Sequence, residues 1–180
     1  MSSTYVALLR GINVGGKNML RMKDLVAIFE RAGCTEVRNY IQSGNVVFQA
    51  EPTLAKGIAA HVEKEIEKRF DLRVPVVLRT ARELCAVAKK NPFLSEGAPE
   101  EKLYVMFLAA DPGKSRTASL DPDRSPPDRF IVKGREIYLA YANGAGKTKL
   151  TNAWFDTKLA TTSTARNWRT VLKLAEMCGE

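Results

Sequence analysis

The chain has a single histidine, His61, among 180 residues. This excludes any catalytic or metal site that needs two histidines. His61 lies in LAKGIAAHVEKEIEKRF beside the stripe Leu54, Ile58, Val62 and Ile66, so it reads as the flank of an amphipathic helix and not as a general base. There are three cysteines, Cys34, Cys85 and Cys178, odd in number and far apart. They fit neither a disulfide framework nor a paired metal-ligand spacing, and idle or buried thiols are expected. No metal and no cofactor are expected. Long apolar runs are lacking too. The strongest, from about Tyr104 to Ala110, is far short of the roughly 20 residues that span a bilayer, so no membrane partner is expected. The opening MSSTY has no basic segment leading into an apolar one, which predicts no secretory signal and a cytoplasmic location.

What the chain has in excess is positive charge. The net charge is +8, and the stretch from Lys133 to Lys173 carries eight cations against Glu136 and Asp156. A basic block of this kind suits a nucleic acid or a phosphorylated small molecule as partner, or serves only as a solvated face.

Hydrophobic periodicity gives the order of elements. Tyr5 to Leu9 reads as a buried strand, and MKDLVAIFERAG places Leu25, Ile28, Phe29 and Ala32 on one helical face with Gly33 as its stop. EVRNYIQSGNVVFQA reads as a hairpin turning at Ser43-Gly44, followed by a helix over about Thr53 to Arg69 and a strand over Val74 to Thr80. Residues 1–80 therefore read β-α-β-β-α-β, the order of a ferredoxin-like split βαβ unit. Residues 81–180 read as a second related half. A connecting helix over Ala81 to Lys90 leads to the strand KLYVMFLAA, a short helix over GKSRTASL and a hairpin in RFIVKGREIYLAYA. Two helices close the chain, over about Lys147 to Leu159 and Ala165 to Met177, the last being extra to the repeat. The expected fold class is α+β, with two ferredoxin-like halves of mostly antiparallel sheet and helices packed on them.

Two glycine-lysine loops raise the question of nucleotide hydrolysis. A P-loop needs G-x-x-x-x-G-K-[ST] between a strand and a helix, so that backbone amides converge on phosphates, the lysine reaches the outer phosphates and the hydroxyl holds magnesium. YANGAGKT has Tyr141 in place of the first glycine, and GINVGGKN has Asn18 in place of the hydroxyl. Neither is followed by the strands of a parallel sheet, so the hydrolase reading fails.

The first loop still gathers features that suit an anion. Arg10, Gly11, Asn13, Gly15, Gly16, Lys17 and Asn18 put cations beside glycine amides just before a helix, although positive-φ glycines and backbone-bonding asparagines also explain it as a turn. Gln42, Ser43 and Asn45 at the hairpin tip offer amides to a polar ligand or complete the turn. Lys147 and Lys149 belong to the second loop. Arg166 and Asn167 lie at the expected start of the last helix beside the hydroxyls of Thr161 to Thr164, which suits phosphate or simple capping. Tyr40, Phe48, Tyr138 and Tyr141 are candidates for base stacking on an exposed sheet.

The segments YVALLRGINVGGKN, VRNYIQSGNVVFQA, KTKLTNAWFDTKL and ATTSTARNWRTVLKL together resemble the bacterial family known as domain of unknown function 1697, from about Tyr5 to Leu174. The resemblance implies an α+β fold with ferredoxin-like units and no established activity. It also points to Arg10–Asn18, Gln42–Asn45 and Thr164–Trp168 as places for a shared site. Three functions stay open: a binding protein for a phosphorylated ligand or nucleic acid through the basic glycine-rich loop, an enzyme acting on a small anionic substrate, or a protein-interaction module. No feature of the sequence fixes an oligomeric state.

Overall fold

The computed structural model describes residues 1–179. It is an α+β protein whose strands form two four-stranded, wholly antiparallel sheets. The chain divides into two compact units, Met1–Ala86 with the residues from Leu174 onward, and Val87–Lys173.

The first unit runs β1 (Ser3–Leu9), α1 (Met22–Arg31), β2 (Thr35–Tyr40), β3 (Asn45–Ala50), α2 (Pro52–Phe70) and β4 (Val76–Thr80), and α3 (Ala81–Lys89) follows directly. Its sheet order is β2-β3-β1-β4, the split βαβ arrangement expected from the order of elements. Alternate residues of β1, Tyr5, Ala7 and Leu9, meet Leu25, Ile28 and Phe29 of α1 and Ile58, Val62 and Ile66 of α2 in one core. Phe48 anchors it, with the Phe29 ring 5.0 Å away. The intervening residues Val6, Leu8, Val47 and Val77 are buried as well, so the sheet is covered on both faces.

Helix α1 stops where the sequence says it should. Gly33 takes a left-handed φ of 98°, its amide donates to Glu30 O, and the Cys34 amide donates to Phe29 O at 3.1 Å. That is the paired geometry of a Schellman cap, and it drives Cys34 into the core. Burial pushes the Cys34 thiol up to about 11 from 9.0. A raised folded-state value means that the thiol's contribution to stability is whole below about pH 9 and is lost as pH rises through about 11. We expect native Cys34 to resist iodoacetamide at pH 8 and to react on unfolding. Cys34→Ala should flatten the fall in stability between pH 9 and 11, measured by urea melts across that range.

The second unit runs β5 (Leu103–Leu108), α4 (Gly113–Ala118), β6 (Arg129–Lys133), β7 (Glu136–Ala140), α5 (Asn152–Leu159) and β8 (Ser163–Asn167), then enters α6 (Trp168–Met177). Its sheet order, β6-β7-β5-β8, reproduces that of the first. Two expectations are corrected here. The last helix does not begin at Ala165: residues 163–167 are a strand on β5, with Phe107 opposite Thr164 and Tyr104 opposite Asn167. The β-branched, hydroxyl-rich TTST run favours extended backbone. Ala160 in left-handed conformation ends α5, and the Asn167 side chain accepts from the Thr170 amide at 2.8 Å, which fixes the helix start beyond it. The second half is therefore a complete β-α-β-β-α-β unit. Nor does a helix begin at Lys147. Thr151 is the N-cap of α5, its hydroxyl accepting from the Trp154 amide, and residues 141–150 are loop.

Candidate functional site

In the first unit the connection after β1 folds into a short finger. Five of the eight residues from Gly11 to Asn18 have positive φ: Gly11, Asn13, Gly15, Gly16 and Asn18. Asparagine tolerates this region better than other side chains. The finger closes on itself through Lys17 N to Val14 O at 3.0 Å and Asn13 N to Asn18 O at 3.1 Å. Asn18 Nδ2 donates to Gly11 O at 2.8 Å.

Asn13 holds the finger down. Its Oδ1 accepts from Leu20 N, and its Nδ2 donates to Leu20 O and to Gln42 O, each at 2.8 Å. The last bond ties the finger to the tip of the β2–β3 hairpin. Gly44 brings the same tip against Leu9 and Ile12. The structure thus brings Arg10–Asn18 and Gln42–Asn45 together, which spacing alone did not require.

Within that platform the candidates divide by role. Asn45 is fully buried and its Nδ2 donates to Tyr40 O and to Ser43 Oγ, so Ser43 and Asn45 build the turn. Asn13 and Asn18 are likewise occupied in holding the finger. Lys17 and Gln42 are exposed, and Lys17 makes no ion pair among the described residues. Arg10 is half-buried, with its amide donating to Pro75 O at 3.0 Å. The amides of Gly15 and Gly16, both exposed, donate to no group among the described residues. Arg21, at the finger's exit, pairs with Asp24 at 2.9 Å, which offsets one cation.

In the second unit the loop carrying Lys147 and Lys149 is braced from beneath. Buried Ser125 accepts from the Lys149 amide at 3.0 Å, and donates to Asp128 at 2.9 Å. Asp128 in turn accepts from Ala142 N. The Thr148 hydroxyl accepts from Leu150 N at 3.1 Å, and the Gly-Lys-Thr run lies ahead of the α5 cap, not on its first turn. Lys147 and Lys149 are exposed, but the loop lacks the helix that gives a P-loop its phosphate-facing amides. The bracing by Ser125 and Asp128 escaped sequence reasoning because the β6–β7 hairpin separates them from the loop, Ser125 standing 24 residues before Lys149 and Asp128 14 before Ala142.

Arg166 is no surface phosphate ligand. It sits on β8 opposite Val105, is 8% exposed, and donates from Nη1 to Thr164 Oγ1 at 2.9 Å and Ala165 O at 2.8 Å. Burial pulls its guanidinium down to about 10, well above neutrality, so it stays charged. Asn167 caps α6. Of the four stacking candidates, Phe48, Tyr138 and Tyr141 are buried and only Tyr40 is half-exposed, which leaves no platform of several rings; the Tyr141 hydroxyl donates to Leu150 O. Among the described residues no group of three or more His, Cys, Asp or Glu is placed to hold a metal ion, and no helix is long and apolar enough to cross a membrane.

A family model described as "Protein of unknown function (DUF1697)" matches residues 2–138. A solved structure of a conserved bacterial protein from Streptococcus pneumoniae is similar over 99% of each chain, with a TM-score of 0.73 and 21% identity, a likeness of fold. No curated protein matches the chain.

Proposed function

The chain belongs to the DUF1697 family, whose description carries no activity, and we propose from its own residues that it is a binding protein for phosphate-bearing ligands. The ligand is a phosphorylated small molecule or a nucleic acid backbone, and it is taken on the finger of residues 10–18. One observation carries this reading: an exposed, unpaired Lys17 stands beside the open amides of Gly15 and Gly16 on a finger held rigid by Asn13. Ordered donors that need no rearrangement bind an anion at small entropic cost. Nothing in this arrangement supplies an acid–base pair, so binding is favoured over turnover.

The test is fluorescence anisotropy with a labelled single-stranded oligonucleotide, alongside a thermal-shift panel of nucleotides and sugar phosphates. A ligand at a hundredfold over its Kd should raise stability by about 2.7 kcal/mol. Lys17→Ala should weaken binding and lower the slope of log K against log salt by about one. A phosphorylated small molecule gives the thermal shift without oligonucleotide binding, and a nucleic acid gives both. No response to any phosphate at low salt, or a Lys17→Ala protein that binds as well as its parent, overturns the proposal.

A further inference from the structure

The two sheets are repeats of one pattern, and their registers align residue for residue. Tyr5 lies opposite Thr80 and Val6 opposite Arg79; Tyr104 lies opposite Asn167 and Val105 opposite Arg166. In each repeat the fourth strand ends on a residue that caps the following helix. In each a cavity opens beside the equivalent tyrosine, cap residue and helix arginine: Tyr5, Thr80 and Arg82 in one, Tyr104, Asn167 and Arg169 in the other. The volumes are about 580 and 370 Å³.

The two cavities differ in chemistry. The carboxylate of the first, Glu83, accepts from both the amide and the hydroxyl of Thr80 in a capping box. The equivalent position in α6 is Thr170, so that box is gone. The second cavity is lined instead by Glu100 and Glu101 from the turn before β5, and neither carboxylate is ion-paired among the described residues. Arg169, also without an ion pair among them, lines it as well. The wall holds Tyr104, the Leu172 side chain and Trp168, which is 1% exposed and whose Nε1 finds no acceptor among the described residues. Two acids, one arginine and an apolar wall in one small cavity are a set that a ligand with both charges matches. On a protein of net charge +8 a local excess of acid also singles this place out.

We infer that this cavity binds a small zwitterionic amino-carboxylate with an apolar side chain. The ammonium goes to Glu100 and Glu101, the carboxylate to Arg169, and the side chain to Tyr104 and Leu172. The inference stands apart from the phosphate finger, which belongs to the other unit.

Trp168 is its own reporter, since Trp154→Phe leaves it the sole tryptophan. That protein is titrated with L-leucine, with 3-methylbutylamine and with 4-methylpentanoate. L-leucine should give a saturable change in Trp168 emission, and each singly charged probe should bind at least about tenfold more weakly. Glu100→Gln with Glu101→Gln should erase the preference for leucine over 4-methylpentanoate. Arg169→Gln should erase the preference over the amine, and Arg82→Gln, in the other repeat, should change nothing. Circular dichroism checks that each variant is folded. A folded protein with no saturable response to L-leucine overturns the inference. So does equal affinity for a singly charged probe, or an Arg82→Gln protein impaired as much as Arg169→Gln.

Discussion

Gly44→Ala should destabilise the protein by about 3 kcal/mol, far more than an exposed turn substitution normally does. Two costs coincide there. The residue has a φ of 77°, where a Cβ is strained, at about 1–2 kcal/mol. A Cβ at that place would also lie 2.6 Å from the Leu9 Cβ and 3.0 Å from Ile12 Cδ1. Leu9 and Ile12 are buried and cannot swing aside, and the Gly44 carbonyl accepts from the Leu9 amide at 2.8 Å, which prevents the tip from lifting away. Gly11→Ala is the control. It has a similar φ of 73° but nothing within 4 Å of its missing Cβ, so it should lose only the backbone term, about 1–2 kcal/mol. Urea midpoints of the two variants, read with unchanged m, separate strain from overlap. Equal losses would show that the hairpin tip does not press on the end of β1 as described.

Gly44 also shows what the sequence makes legible. Ser43-Gly44 between two β-rich runs announces a hairpin, because local turn chemistry is written in adjacent residues. The same holds for Gly33 after α1 and for the apolar stripe of α2. The repeated β-α-β-β-α-β order was readable up to β8, and failed there because TTSTARN has neither alternation nor a large apolar residue to mark a strand. Its burial comes from pairing with β5, a contact 60 residues away in the chain. Arg166 was misread for the same reason: an arginine among hydroxyls looks like a phosphate ligand until its register puts it inside. The finger was legible as residues but not as a device. That Asn13 reaches Gln42 depends on how β1 and β3 pair, and nothing near Asn13 says so. The cavity by Tyr104 was missed outright, since its two sides meet only through the β5–β8 register. The one signal that could have found it is the likeness of Arg79-Thr80 to Arg166-Asn167 at the ends of two strands.

Asn13 couples the fold to the proposed activity, and replacing it should expose that coupling. Its side chain makes three hydrogen bonds of 2.8 Å, and its φ of 54° suits asparagine. Asn13→Gly keeps the backbone at ease but deletes all three bonds, at about 2–3 kcal/mol. Asn13→Ala loses the same bonds and adds about 1–2 kcal/mol of strain. The difference between the two variants is therefore the backbone term alone. The glycine variant, still folded, is the informative one for binding. Its Lys17 and its finger amides are all present, yet the finger is no longer fastened to Gln42 and Leu20. If the donors bind phosphate because they are held in place, the Asn13→Gly protein should bind the oligonucleotide or sugar phosphate at least about tenfold more weakly. Its salt dependence should stay near that of the parent, because no cation has been removed. A folded Asn13→Gly protein with unchanged affinity would mean that the charge of Lys17 acts alone and that the ordered finger has no part in recognition.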